Sequence, residues 1–293
     1  MRWLSFGPPG GERPGVMIEP GVLLDIAACR PHWPRDWAGL LAANLLEEVR
    51  RLAAEADFSA RHTRPLAGLP LAPPVPRPSK VIALGRNYPA HAAEQQRRAP
   101  DRPLLFAKAP SCLIGQGCPV VVPARESRPD YEGEMALVVG RPLKDIPEER
   151  ALEGLAGVTV FNDVSGREAQ FGDKLWLRGK SFDTFGPIGP WAVTLDEVGD
   201  PDDLRLRTRV NGETRQDART AEMTVSCAGI VAYVSAQMTL LPGDVIATGT
   251  PAGVGVFRDP PLFLQDGDIV EIELQGVGVL RNPVVRPTPP RGG

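Results

Sequence analysis

The sequence predicts a mainly β protein with some helices, of the α+β class. Three observations carry this. From Ser79 onward, short segments rich in Val, Ile and Leu alternate with Gly/Pro turns. Helices are few, with periodicity clearest at Thr224 to Leu240. Strands do not alternate regularly with helices, which removes a doubly wound α/β sheet.

The 293 residues are ample for one or two core-bearing units. A net charge of -3, with arginines scattered rather than striped, leaves no basic field to hold nucleic acid. No run approaches the roughly 18 apolar residues of a membrane span, and the first residues lack an apolar signal core. A cytoplasmic location is therefore expected, with no membrane and no nucleic acid among the partners. Cys29, Cys112, Cys118 and Cys227 form no CxxC pair and have no histidines at zinc-finger spacing. They read as free thiols.

Along the chain, residues 1–78 read as a small N-terminal domain with a Pro-rich linker. Val22 to Ile26 predicts a strand, and Leu40, Leu41, Leu45, Val49 and Leu52 recur near helical spacing. Prolines from Leu69 to Pro78 predict an extended linker. Residues 79–285 form the second unit. Strands are expected at Lys80–Leu84, Pro119–Val122, Met135–Val139, Val158–Phe161, Ile188–Val193, Leu206–Val210, Asp244–Ala247 and Ile269–Leu274. A short helix is expected at Ala90–Arg98. Residues 286–293, rich in Pro, Arg and Gly, read as a disordered tail.

The strongest chemical signal is Asp130-Tyr131-Glu132-Gly133-Glu134, leading into an apolar strand. If the strand begins near Tyr131, Glu132 and Glu134 share one side. Two carboxylates entering a core need a compensating cation; two at a strand's start are simply solvated. Asp163, closing the apolar stretch Val158–Asn162, adds a third acid. Three carboxylates make an all-oxygen ligand set, which suits Mg²⁺ or Mn²⁺, with Ca²⁺ able to take its place.

His91 and Glu94 are three residues apart, so on a helix they share a face, and the carboxylate would orient the imidazole as a base. His32 and His62, among prolines and arginines, read as surface residues. Lys180, in a Gly/Pro-rich loop between aromatics, is either a solvated loop lysine or a partner for an anionic substrate. Thr248-Gly249-Thr250-Pro251-Ala252-Gly253-Val254-Gly255 is either a plain turn or a backbone cradle for an anion. It lacks the Gly-Lys-Ser/Thr ending of a nucleotide-binding loop.

Taken together, these residues resemble the fumarylacetoacetate hydrolase family, over about Ser79 to Val285. The motifs are Gly85-Arg86-Asn87-Tyr88-x-x-His91-x-x-Glu94, Asp130-Tyr131-Glu132-x-Glu134, Asn162-Asp163-Val164-Ser165-x-Arg167, Lys180-Ser181-Phe182-Asp183-Thr184-Phe185 and Pro242-Gly243-Asp244 through Gly255. The resemblance implies a mixed β-sandwich roll and a homodimer. It implies Glu132, Glu134 and Asp163 as ligands of Mg²⁺ or Mn²⁺, a His91–Glu94 dyad and an active-site Lys180. Arg86, Tyr88, Gln170, Lys180 and Thr250 are the implied substrate contacts. Gly166 departs from the pattern, standing where relatives usually carry alanine.

The implied activity is hydrolysis of a C–C bond in a small diketo acid of the acylpyruvate type. The metal would stabilise the enolate, His91 would activate water, and Lys180 would hold the substrate's carboxylate. Decarboxylation of an oxaloacetate-like acid, or isomerisation of a 2-hydroxy-diene-dioate as in aromatic catabolism, would use the same groups. A non-catalytic binding protein of the same fold is the alternative of another class.

Overall fold

The computed structural model of the chain describes residues 1–55 and 61–287. Two β-sheets packed face to face make its frame. The larger runs, in spatial order, through Thr63–Pro65, Val22–Asp25, Arg13–Glu19, Arg2–Phe6, Gly186–Val193, Leu155–Asn162, Gly133–Val139, Val245–Ala247, Val81–Gly85 and Leu104–Lys108. Along this path it is antiparallel except where Val245–Ala247 runs parallel to Val81–Gly85. The second sheet orders Glu213–Arg219, Arg205–Val210, Ile269–Leu274, Gly278–Val285 and Val120–Val121. Met135, Leu137, Val158 and Val160 of the first sheet meet Leu206, Val270, Ile272 and Leu280 of the second in one buried cluster. This is the expected mixed sandwich with few helices.

Period-two patterning explains the central strand. In Gly133–Val139 the odd positions Met135, Leu137 and Val139 join the inter-sheet core. Ala136 and Val138 face the opposite way, into two smaller apolar clusters. Because both faces are covered, the strand reads as a continuous apolar run.

The expected strands are present with ends shifted by a few residues. The periodic stretch at Thr224–Leu240 is a helix over Cys227–Gln237, capped by the Ser226 hydroxyl, which accepts from the Gly229 N–H. The Ala90–Arg98 expectation shortens to Pro89–Glu94. The Leu40–Leu52 periodicity breaks into Trp37–Ala42 and Leu46–Ala53, because Asn44 turns the chain with φ 56°.

Residues before Pro78 are built into the same large sheet. Arg2 and Trp3 pair with Val193 and Ala192. Trp3 and Trp37 share an apolar cluster with Val138, Ala156 and Ala192. The proline-rich stretch is extended as expected, yet packed: Leu71–Ala72 pairs with Ser5 and Phe6, and the Ser5 hydroxyl donates to Pro74 O at 2.9 Å. No disulfide links the four cysteines. Beyond Pro287 the expected disordered tail lies outside the described residues.

Candidate functional site

The carboxylates are placed by strand geometry. Glu132 and Glu134 flank Gly133, whose missing side chain lies against Thr208 and Gln216 of the second sheet, so both glutamates point the other way. Asp163 follows the strand Leu155–Asn162, which pairs with Gly133–Val139, and its N–H donates to Glu132 O at 2.8 Å. Ligand atoms of Glu132, Glu134 and Asp163 all lie within 4.8 Å of one another, and all three residues are buried. The solvated alternative for the two glutamates is thereby removed.

Cations crowd this cluster. Lys180 Nζ donates to Glu132 Oε2 at 2.7 Å and Asp163 Oδ2 at 2.6 Å. Lys108 Nζ lies 2.7 Å from Asp163 Oδ1 and donates to Val164 O at 3.3 Å and to Lys180 O. Arg167 bridges Asp130 and Glu132, with Nε 2.9 Å from Asp130 Oδ2 and Nη1 2.7 Å from Glu132 Oε1. Burial alone would raise the Glu132 carboxyl; Lys180 and Arg167 outweigh it and hold it below the usual carboxylate range. Burial would likewise lower Lys180, but Asp163 and Glu132 keep its ammonium charged.

Glu134 differs. Its Oε2 accepts from the Gly249 N–H at 2.8 Å. Burial, then the charges of Asp163 and Glu132, push its carboxyl well above the ordinary range. With Glu134 ionised, four buried carboxylates would face three cations; its raised carboxyl relieves that excess by favouring the protonated form, and a hard cation would relieve it in the proton's place. The donor set, all oxygen and closely spaced, fits a divalent ion.

The base lies beside it. His91 Nδ1 donates to Glu94 Oε1 at 2.6 Å, which leaves Nε2 as the acceptor nitrogen. The Gln95 amide sits 2.8 Å from that nitrogen. Glu94 is anchored in turn by the Gly253 N–H at 2.9 Å. His32 is exposed and His62 half-buried, and neither belongs to the acid cluster or lines the cavity beside it.

The loop after Val245–Ala247 is a cradle, and the anions it holds are the protein's own. Gly249 N–H binds Glu134, Gly253 N–H binds Glu94, and the Gly255 and Val256 N–H groups bind Asp130 at 2.8 and 3.0 Å. Thr250 Oγ1 donates to Gly133 O and accepts from Gln216 Nε2, locking the loop to the glutamate strand.

A cavity of about 50 Å³ opens on these groups, lined among others by Arg86, His91, Glu132, Gln170, Lys180 and Thr250. Phe106, Trp176 and Phe257 wall it. Larger open grooves lie elsewhere, one of about 560 Å³ between the N-terminal helices and the sheet, but they hold none of these acids or the histidine. Of the expected substrate contacts Arg86, Tyr88, Gln170, Lys180 and Thr250, Tyr88 is the one that does not line the cavity. Its ring is buried, and burial, then the Glu134 charge, raises its hydroxyl above the usual range.

Sequence reasoning missed Lys108, Asp130, Arg167 and Gln95 as site residues. Lys108 had a weak signal, since it closes the apolar run Leu104–Ala107; its burial shows only in the structure. Arg167 and Asp130 became legible only as a pair, when the short ladder of Pro129–Asp130 with Ser165–Gly166 brought them together.

This sandwich and this acid cluster define a family. The chain belongs to the fumarylacetoacetate hydrolase family: residues 80–285 match its C-terminal family description, "Fumarylacetoacetate (FAA) hydrolase C-terminal". The chain is 38% identical to the oxaloacetate tautomerase fahd2, mitochondrial, of Xenopus laevis, over 97% of this chain and 90% of that one. Among solved structures, the 2-hydroxyhepta-2,4-diene-1,7-dioate isomerase of Mycobacterium marinum is 37% identical with a TM-score of 0.76, covering 99% of this chain and all of that one. The maleylpyruvate hydrolase of Sphingobium sp. SYK-6, solved with manganese(II) and pyruvate, is 34% identical with a TM-score of 0.81, covering 98% of this chain and 100% of that chain. The chain is thus an enzyme of a family that acts on small keto-acid substrates. Among the described residues, no helix is long and apolar enough to cross a membrane.

Proposed function

We propose that the chain interconverts keto and enol forms of a small 2-keto dicarboxylic acid of the oxaloacetate type, with a divalent ion, Mg²⁺ or Mn²⁺, held by Glu132, Glu134 and Asp163. The observation that carries this is a Glu94-oriented imidazole, one cavity wall away from an acid cluster in cationic surroundings. When bound, the ion polarises the keto carbonyl and offsets negative charge developing on its oxygen. His91 Nε2 takes the proton from the carbon next to that carbonyl and returns it to the enolate oxygen; Glu94 stabilises the imidazolium through Nδ1–H. Gln95 must turn aside for this, since its amide occupies Nε2 in the resting site. Lys180 and Arg86 face the cavity and bind the two carboxylates. Phe106, Trp176 and Phe257 restrict water.

The small cavity and the full-length similarity to an oxaloacetate tautomerase favour this reading over a larger substrate. C–C hydrolysis of an acylpyruvate is the second reading. The carboxylate-backed His91 favours it, because that arrangement also activates water. In this proposal residues 79–285 carry the chemistry as the catalytic domain, 1–78 are a small N-terminal domain, and the enzyme is a cytoplasmic homodimer.

The test is product analysis by NMR with Mn²⁺ present. Tautomerisation of oxaloacetate preserves mass, decarboxylation releases CO₂, and hydrolysis of an acylpyruvate yields two acids. His91→Ala should lower turnover by roughly 10²-fold or more. Unchanged turnover in that variant would remove the imidazole from the reaction.

A further inference from the structure

The helix Arg167–Gly172 delivers Arg167 and Gln170 to the cavity, and its aim is set from outside the site. Glu126 is only 1% exposed. Its Oε1 accepts from the Arg128 and Glu168 N–H groups at 3.0 and 3.1 Å, and its Oε2 accepts from the Ala169 N–H at 3.1 Å. Glu168 answers across the same gap, accepting from the Ser127 N–H and hydroxyl at 3.3 and 2.6 Å. The Arg167 N–H donates to Arg128 O at 3.0 Å. The first turn of this helix is therefore fastened to the segment that leads into Asp130 and Glu132. A carboxylate on free N–H groups at a helix start is a strong cap.

Gly166 supplies the room. Its φ of -83° and ψ of 96° suit any residue, so its backbone does not require glycine. Space does: a Cβ there would stand 2.6 Å from Glu126 Oε2 and 2.8 Å from Phe182 Cε2.

We propose that Glu126 is a positioning residue of the active site, which clamps the start of the Arg167–Gly172 helix and so aims Arg167 and Gln170 at the cavity, and that Gly166 is the space that admits it. Glu126 is absent from the cavity lining and from the acid cluster, so it acts through the backbone it holds, the helix start and the Arg128 N–H. The proposal rests on the cavity being the substrate site.

The experiment uses the full chain loaded with Mn²⁺, and malonate as a dicarboxylate probe, both titrated calorimetrically. Glu126→Ala should weaken malonate binding about tenfold, the order expected for losing charge-assisted hydrogen bonds, and leave Mn²⁺ affinity within about threefold. Glu126→Gln, which keeps one acceptor oxygen, should recover part of the loss. The Glu126→Ala effect should shrink when Gln170→Ala is already present, as a residue acting through Gln170 requires. Gly166→Ala should reproduce the malonate defect. Unchanged malonate affinity in Glu126→Ala overturns the proposal. So does parallel loss of malonate binding, Mn²⁺ binding and thermal stability, which would make Glu126 ordinary folding support. If the wild-type protein binds Mn²⁺ but no malonate, the reading of the cavity fails instead. The clamp is then judged by amide exchange at Glu168 and Ala169: faster exchange in Glu126→Ala sustains it, and unchanged protection ends it.

Discussion

Glu134 is the residue on which the metal reading turns. Its neighbours Glu132 and Asp163 each have a cation within ion-pairing distance, whereas Glu134 has the Gly249 N–H and two nearby negative charges. Burial, then those charges, raise its carboxyl well above the unfolded value near 4.5. A raised folded-state value means that the metal-free protein gains stability from this group in acid. That gain is present below the unfolded value and is lost as pH rises through the folded one. Glu132 runs the opposite way, its contribution being lost only as pH falls through its depressed value. The metal-free protein should therefore lose melting temperature from about pH 5 upward by more than the Glu134→Gln variant does. Mn²⁺ binding to the wild type should release a proton, seen as a buffer-dependent heat, and the variant should release less. Equal pH slopes in the two proteins would contradict this assignment. At this scale the sequence was informative where spacing alone decides geometry, as for His91 with Glu94 and Glu132 with Glu134. It assigned no role to Lys108 or Arg167, whose partners Asp163 and Asp130 lie far from them in the chain.

At the scale of elements, the glutamate strand depends on a fit between sheets. A Cβ on Gly133 would stand 2.0 Å from Thr208 Oγ1, the next contact being Gln216 Oε1 at 3.2 Å. Gly133→Ala should cost about 1–3 kcal/mol in denaturant unfolding, the range for overpacking, and should weaken Mn²⁺ binding by moving both flanking acids. The Thr208 hydroxyl is buried and makes no hydrogen bond. Adding Thr208→Ala should thus restore most of the lost stability; a double variant as unstable as Gly133→Ala alone would refute the packing account. The Gly-rich loop teaches a related lesson. Its sequence left a turn and an anion cradle both open, and the structure shows a cradle for Glu94, Glu134 and Asp130, partners no local pattern announces. Strand positions were legible because period-two apolar runs report burial directly. The division of the Leu40–Leu52 periodicity was not, because it hangs on the positive φ of Asn44.

Across the whole molecule, one sheet spans from the N-terminal strands to the catalytic ones, so the composition change near Pro78 marks no break in the core. Composition is a poor guide here because pairing of Arg2–Phe6 with Gly186–Val193 depends on residues nearly two hundred positions apart. The family match nonetheless begins at residue 80, directly after the proline-rich stretch. All the groups of the proposed chemistry come from that matched part, and they converge from the segment after Val81–Gly85, the central strands and the loop after Val245–Ala247. What unites them is a buried cluster with one more carboxyl group than cations, a place that a hard cation would fill in exchange for the Glu134 proton. Calorimetric titration of the metal-stripped chain with Mn²⁺ tests this most directly. The account predicts one ion bound per chain, with affinity at least about tenfold weaker in Glu134→Gln, since loss of a charged ligand reduces affinity. No binding by the wild type, or binding that Glu134→Gln leaves intact, would contradict it.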